Sequence, residues 1–192
     1  MAGVILETAR QDLGWLMRWM STLPAPQGTG IWDCSGSDGA DEYNPATMTT
    51  GPDFEGLSQA ERHGGQVAML QRYYYRKLGD VPFAIILVRG LYPPTESEMA
   101  SMRGAERKHA EMLVRIKGRA IAKVAMEMRR ELGLGMDFAM DYVRYWAGMR
   151  DKPKAAHAEG YGISRRTFYY HVAKARQWLH DRLRRALEDA DA

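Results

Sequence analysis

The residues of this chain whose types and spacing fit a definite chemistry lie near its end, in the stretch KAAHAEGYGISRRTFYYHV at 154–172. Two helices that cross closely need a small residue in the first of them. Four residues later they need a glycine, because the turn there adopts a left-handed backbone that other residues resist. An apolar plug, a cap and an apolar residue one turn into the second helix complete the pattern of a helix-turn-helix. Ala158, Gly162, Ile163, Ser164 and Phe168 supply these in order, with Val172 facing inward beside Phe168. Ser164 is a natural N-cap, and Pro153 suits the start of the first helix. Two residues fit less well: His157 stands where a buried aliphatic is usual, and Gly160 is a poor residue inside a helix. Both predict an irregular first helix.

The chemistry this arrangement offers is DNA recognition. The second helix would expose Arg165, Arg166, Thr167, Tyr169 and Tyr170. Arginine is suited to bidentate contact with guanine, and tyrosine or threonine to phosphates or a thymine methyl. Ser164 and Lys174 complete the expected DNA-binding set. Downstream, Lys174, Arg176, Arg182, Arg184 and Arg185 could run along phosphates. Equally, they could be a solvated face with Trp178, Leu183 and Leu187 packed inward.

Charge is distributed to match. The net charge is only +3, but residues 1–60 carry two basic and eight acidic residues, whereas 150–187 carry ten basic and three acidic. A basic end is the electrostatic footprint of a nucleic-acid binder.

The elements that must position this motif read as helices. Residues 4–22 carry Ile5, Leu6, Ala9, Leu13, Leu16, Met17 and Met20 at helical spacing, stopped by Pro24 and Pro26. Residues 23–56 are rich in Gly, Pro, Ser, Thr and Asp and read as a flexible loop or linker. A capping box, Ser58-x-x-Glu61, opens a helix that runs to about Leu78 and ends at Gly79. A short helix follows with Pro82 in its first turn. Its run from Phe83 to Val88 predicts full burial, and a strand is the competing reading. A second capping box, Thr95-x-x-Glu98, starts a helix that can continue to Leu132, with Gly104 and Gly118 as weak points. Its apolar stripe is Met112, Ile116, Ala120, Val124 and Met128. Residues 136–147 form a short aromatic helix. The fold class is therefore all-α: a helical bundle with a C-terminal helix-turn-helix. The organisation is an N-terminal helix (1–22), a linker (23–56), a central helical region (57–135) and a DNA-binding region (136–192).

Several chemistries are not signalled. His63, His109, His157, His171 and His180 are scattered, at no recognised metal spacing. Cys34 sits in a glycine-rich stretch with no basic neighbour to lower its pKa. No phosphate-binding or nucleophile-elbow motif occurs. Neither a catalytic site nor a metal or cofactor is expected. The carboxylates of the long helical stretch (Glu96, Glu98, Glu106, Glu111 and Glu127) read as a solvated face. The run Tyr73-Tyr74-Tyr75 must divide between core and surface. No apolar run approaches membrane-spanning length, and no signal peptide is visible. The expected location is the cytoplasm of a bacterial host.

The block from Tyr142 to Gly148 (YVRYWAG), the linker to Pro153 and the motif after it resemble region 4 of bacterial sigma factors. There an aromatic-rich helix ending in glycine precedes a motif of the type A-x-x-x-G-I-S-x-x-T. The same arrangement occurs in the phage 21-type late antiterminator Q proteins, whose N-terminal helix carries paired tryptophans; here these would be Trp15 and Trp19. The resemblance is specific over about residues 140–180. It implies a transcription antitermination factor that binds double-stranded DNA near a late promoter and loads onto paused RNA polymerase with sigma factor bound. It would then narrow the RNA exit channel. Arg165, Arg166, Tyr169 and Tyr170 would read the DNA. Two alternatives stand beside it: a non-transcriptional DNA-binding module such as a phage small terminase subunit, and an interaction protein whose helix pair is only structural.

Overall fold

The computed structural model describes residues 13–14, 16–18 and 59–192. The linker reading of 23–56, Trp15 and Trp19, Cys34 and the Ser58 cap lie outside the described residues. Residues 13–14 and 16–18 are helical, and Leu13, Leu16 and Met17 are buried. The remaining helices are α1 (Gln59–Leu78), α2 (Asp80–Gly90), α3 (Glu96–Ser101), α4 (Gly104–Leu132), α5 (Met136–Trp146) and α6 (Arg165–Asp191). Two 3₁₀ turns, Ala155–His157 and Glu159–Tyr161, separate the last two. All regular structure among the described residues is helical, and the all-α class holds.

Helix α2 is the centre. Phe83 to Val88 are all buried, because α1, α4 and α6 pack around this short apolar helix. Its period is therefore hidden by burial on every side, and length decides helix over strand. Gly79, at φ 78°, makes the sharp turn from α1 that a side chain would resist. Asp80 in the first turn of α2 accepts from Tyr75 of α1 and Lys123 of α4. Those partners, Lys123 foremost, hold its carboxyl below the usual range.

The long helix expected from Thr95 to Leu132 is two helices. The Thr95–Glu98 capping box forms in full, but α3 buries no residue and so gains nothing from packing. The chain leaves it through extended Met102 and Arg103 and turns into α4 at Gly104, φ 57°. Glycine, tolerable within a helix, here redirects the chain. Helix α4 then buries Ile116, Ala120, Val124 and Met128 as the stripe predicts, with Met112 half-buried. It ends at left-handed Gly133.

One residue on the buried side of α4 is charged. Lys117 is 1% exposed, and its Nζ donates to the carbonyls of Leu91 and Ala147, each at 2.7 Å. Leu91 and Ala147 are the C-caps of α2 and α5. The ammonium thus sits where two helix dipoles present their negative ends. It also lies 5.3 Å from the centre of the Tyr92 ring. The end of α5 is fully accounted for. Gly148 donates to Tyr145 and Met149 to Arg144, a Schellman closure with Gly148 at φ 73°. Arg89 takes the carbonyl of Trp146 at 3.3 Å, and Lys117 that of Ala147.

Burial, and secondarily Arg89, lowers the Lys117 pKa from 10.5 to about 8. Between those values the unfolded chain holds a proton that the folded chain has released. This group's contribution to stability therefore rises with pH across that window. Lys117→Met keeps the stem but strands two buried carbonyls, and should cost about 2 kcal/mol at neutral pH. In denaturant titrations, the gap between wild type and Lys117→Met should widen from pH 8 toward 10; parallel pH curves would contradict it.

Candidate nucleic-acid interface

The C-terminal module is built on Phe138 of α5. Its buried ring meets Tyr161 edge-on at 5.5 Å, Phe168 at 5.8 Å and His171 at 5.5 Å, and stacks on Tyr142 at 5.8 Å. Such aromatic contacts add about 0.5–1.5 kcal/mol each beyond area burial. Nearby, Asp141 accepts from the Tyr161 hydroxyl at 2.8 Å and from Arg150. Burial and then the Asp141 bond push the Tyr161 phenol up to about 12. Arg150 follows α5, so this carboxylate ties α5, the linker after it and the second 3₁₀ turn together.

The first helix of the motif is two 3₁₀ turns rather than an α-helix, a correction to the expected geometry in the direction that His157 and Gly160 predict. His157 is exposed, so the position usually filled by an aliphatic is not part of this core. Pro153 is buried at the entrance. Ala158 is 2% exposed, and its carbonyl accepts from both Tyr161 and Ile163, each at 3.1 Å. Gly162 donates to Glu159 at 2.9 Å with φ 66° and ψ 27°. This closure repeats the Schellman geometry of Gly148. Ile163 is half-buried against the core. Ser164 then caps α6, its Oγ accepting from the Thr167 amide at 3.1 Å.

Helix α6 has two functions along its 27 residues. Its inner side buries Phe168, Ala175, Leu179, Ala186 and Ala190, with small residues allowing close approach to α2. Trp178 Nε1 donates to Glu131 Oε2 of α4 at 2.7 Å, and Arg182 pairs with the other oxygen. Arg182 first, then Trp178, holds the Glu131 carboxyl below its usual range. Lys77 of α1 donates to the Ala190 carbonyl at 3.0 Å. These contacts fix the rear of the helix as a buttress.

Its outer side is a continuous exposed stripe. Arg165, Arg166, Tyr169, Tyr170, Ala173, Arg176 and Gln177 are all exposed, as the 100° step per residue requires. Tyr169 and Tyr170 are 64% and 56% exposed, unusual for large aromatics. Two expected members sit differently. Thr167 is half-buried, with its hydroxyl 2.8 Å from Ser164 Oγ, so capping occupies it. Lys174 is half-buried, with its ammonium 4.6 Å from the centre of the Tyr170 ring. Of the downstream cations, Arg182 is spent on Glu131, and Arg184 lies 3.8 Å from both Asp181 and Glu188. Trp178 is buried and Leu183 and Leu187 pack on the core, so inward packing holds for those residues. Arg176 and Arg185 stay exposed.

No motif in the local sequence around Asp141, Glu131 or Lys117 marks these residues out. No cluster of three metal-ligating side chains occurs among the described residues, and no helix among them is long and apolar enough to cross a membrane.

The left-handed turn yields a paired test. Gly162→Ala should destabilise the chain by about 1–2 kcal/mol, because a Cβ strains a positive φ. Gly160→Ala, in open space and without positive φ, should be neutral or mildly stabilising. Equal effects on the denaturation midpoint would contradict the assigned turn. Comparison of the chain with protein-family models, with curated proteins and with solved structures returns no match.

Proposed function

We propose that this protein is a sequence-specific DNA-binding transcription regulator and that the N-terminal half of α6 is its reading element. The observation carrying this reading is the outer stripe of α6, in which arginines and tyrosines stand exposed on a helix whose rear is buttressed. Arg165 and Arg166 offer forked donors to guanine or phosphate. The exposed tyrosines offer hydroxyls to phosphates and flat rings to sugars and methyl groups. The first amides of a helix lack carbonyl partners one turn back and favour an anion there. The first turn of α6 contains no acidic residue to compete for them. Ser164 and Thr167 support the helix start, and Lys174 keeps a positive charge beside Tyr170.

The aromatic helix in front of the motif supports a narrower form of the proposal. Gly148 closes the turn that follows α5, and an aromatic helix followed by a glycine is the arrangement on which the resemblance to sigma region 4 and to Q-type antiterminators rests. On that reading the partners are double-stranded DNA and RNA polymerase with sigma factor, in the cytoplasm of a bacterial host. The chain acts by binding and not by catalysis.

The DNA reading is tested by affinity as a function of salt. Arg165→Ala/Arg166→Ala should flatten the log–log salt dependence on duplex DNA by on the order of 2, and should erase discrimination among sequences selected by the wild type. Indifference of both to the substitution would overturn the reading. The antitermination form predicts read-through of terminators by purified polymerase on a template bearing the selected site. Its absence, with DNA binding intact, removes that form alone.

A further inference from the structure

A second charged surface lies on the outer face of α4. Lys108, Arg115, Arg119 and Arg129 are all exposed. At 100° per residue they fall within about 80° of arc, opposite the buried Leu113, Ala120 and Val124. No salt bridge among the described residues reaches any of the four. The carboxylates that would neutralise them are engaged elsewhere. Glu111 pairs with Arg107, Glu127 with Arg130, and Glu131 with Arg182. Glu106 lies in the first turn, across the helix from this arc. A solvated helix ordinarily interleaves both signs along its outer face; this one sets the four cations against a single carboxylate, Glu111, which lies at the edge of the arc and is paired with Arg107, and otherwise places half-buried Ala122 and exposed Met126 between them.

The spacing fits an extended polyanion. Lys108 and Arg129 are about 32 Å apart along the axis at 1.5 Å per residue, close to the roughly 34 Å helical turn of a DNA duplex. Met126 is the only exposed large hydrophobic on the helix, so the face lacks the aromatic and apolar centre of a protein interface. Arginine forks match phosphate oxygens in pairs.

We propose that the outer face of α4 is a second contact surface, independent of sequence, for the phosphate backbone of double-stranded DNA. It rests on α4 alone and stands whether or not α6 reads bases. Its function is to hold the chain on DNA of any sequence, while selectivity resides elsewhere.

The experiment uses the full chain and a labelled duplex of arbitrary sequence, several helical turns long, titrated at a series of salt concentrations. Arg115→Gln/Arg119→Gln/Arg129→Gln should reduce the slope of log affinity against log salt by about 2.7, or about 0.9 for each lost phosphate contact. Its circular dichroism should match wild type. Should the triple variant misfold, Arg115→Gln and Arg129→Gln taken singly should each remove about 0.9. The same reduction is expected in an Arg165→Ala/Arg166→Ala background, which separates this surface from the α6 stripe. If only the α6 substitutions change the slope, the α4 proposal fails and the α6 reading stands. If only the α4 substitutions do, the reverse holds. An unchanged slope, absence of duplex binding at low salt, or stronger competition by single-stranded RNA than by duplex overturns the proposal.

Discussion

The structure depends on one buried amino group. Lys117 lies inside the bundle and donates to the last carbonyls of α2 and α5, so three helices meet at a single charge. Desolvating a lysine costs several kcal/mol, and two charge-assisted hydrogen bonds return about 1.5–3 kcal/mol each. The balance is small in energy and large in geometry, since the two helix ends can satisfy those carbonyls only in one relative position. Helix α2 is the centre on which α6 lies, and α5 carries Phe138 and Asp141, which hold the turn before α6. The placement of the exposed stripe of α6 therefore descends from this clamp through two short routes.

The lowered basicity of Lys117 follows from the same geometry. Arg89 sits close enough to cap the neighbouring Trp146 carbonyl and to repel the Lys117 ammonium. Two cations at one helix end are tolerable because the α5 dipole faces both, and because Arg89 stays exposed over the Trp146 ring at 5.8 Å. Asp80 and Glu131 anchor the other contacts of α4, each a carboxylate shared by an aromatic donor and a cation. The same device recurs at Asp141, with Tyr161 and Arg150.

Much of this was readable from the residues. Thr95 and Glu98 announce their capping box, Gly79 and Gly133 mark their helix ends, and the spacing of Ala158, Gly162 and Ser164 gives the turn and cap before α6. The break at Met102–Arg103 was not readable, because a glycine inside a helical pattern is equally consistent with continuation. The first half of the motif became 3₁₀ because a glycine and an exposed histidine remove the packing that would hold an α-helix. Lys117 left a signal that charge obscured. It falls four residues after Leu113 and four before Ile121, on the buried side of the period, yet a lysine is ordinarily assigned to the surface. Glu131 and Asp141 were hidden for a different reason: their partners, Trp178 and Tyr161, are distant in sequence, and only the packing of helices brings them together.

On the proposed reading, a rigid core presents the outer stripe of α6 to DNA. The most direct measurement is backbone amide chemical-shift mapping of the full chain during titration with duplex DNA at low salt. The largest perturbations should fall at 164–177, with little change at Lys117 and its partners inside the core. Saturable binding that leaves 164–177 unperturbed would contradict it, as would perturbations spread through the core around Lys117.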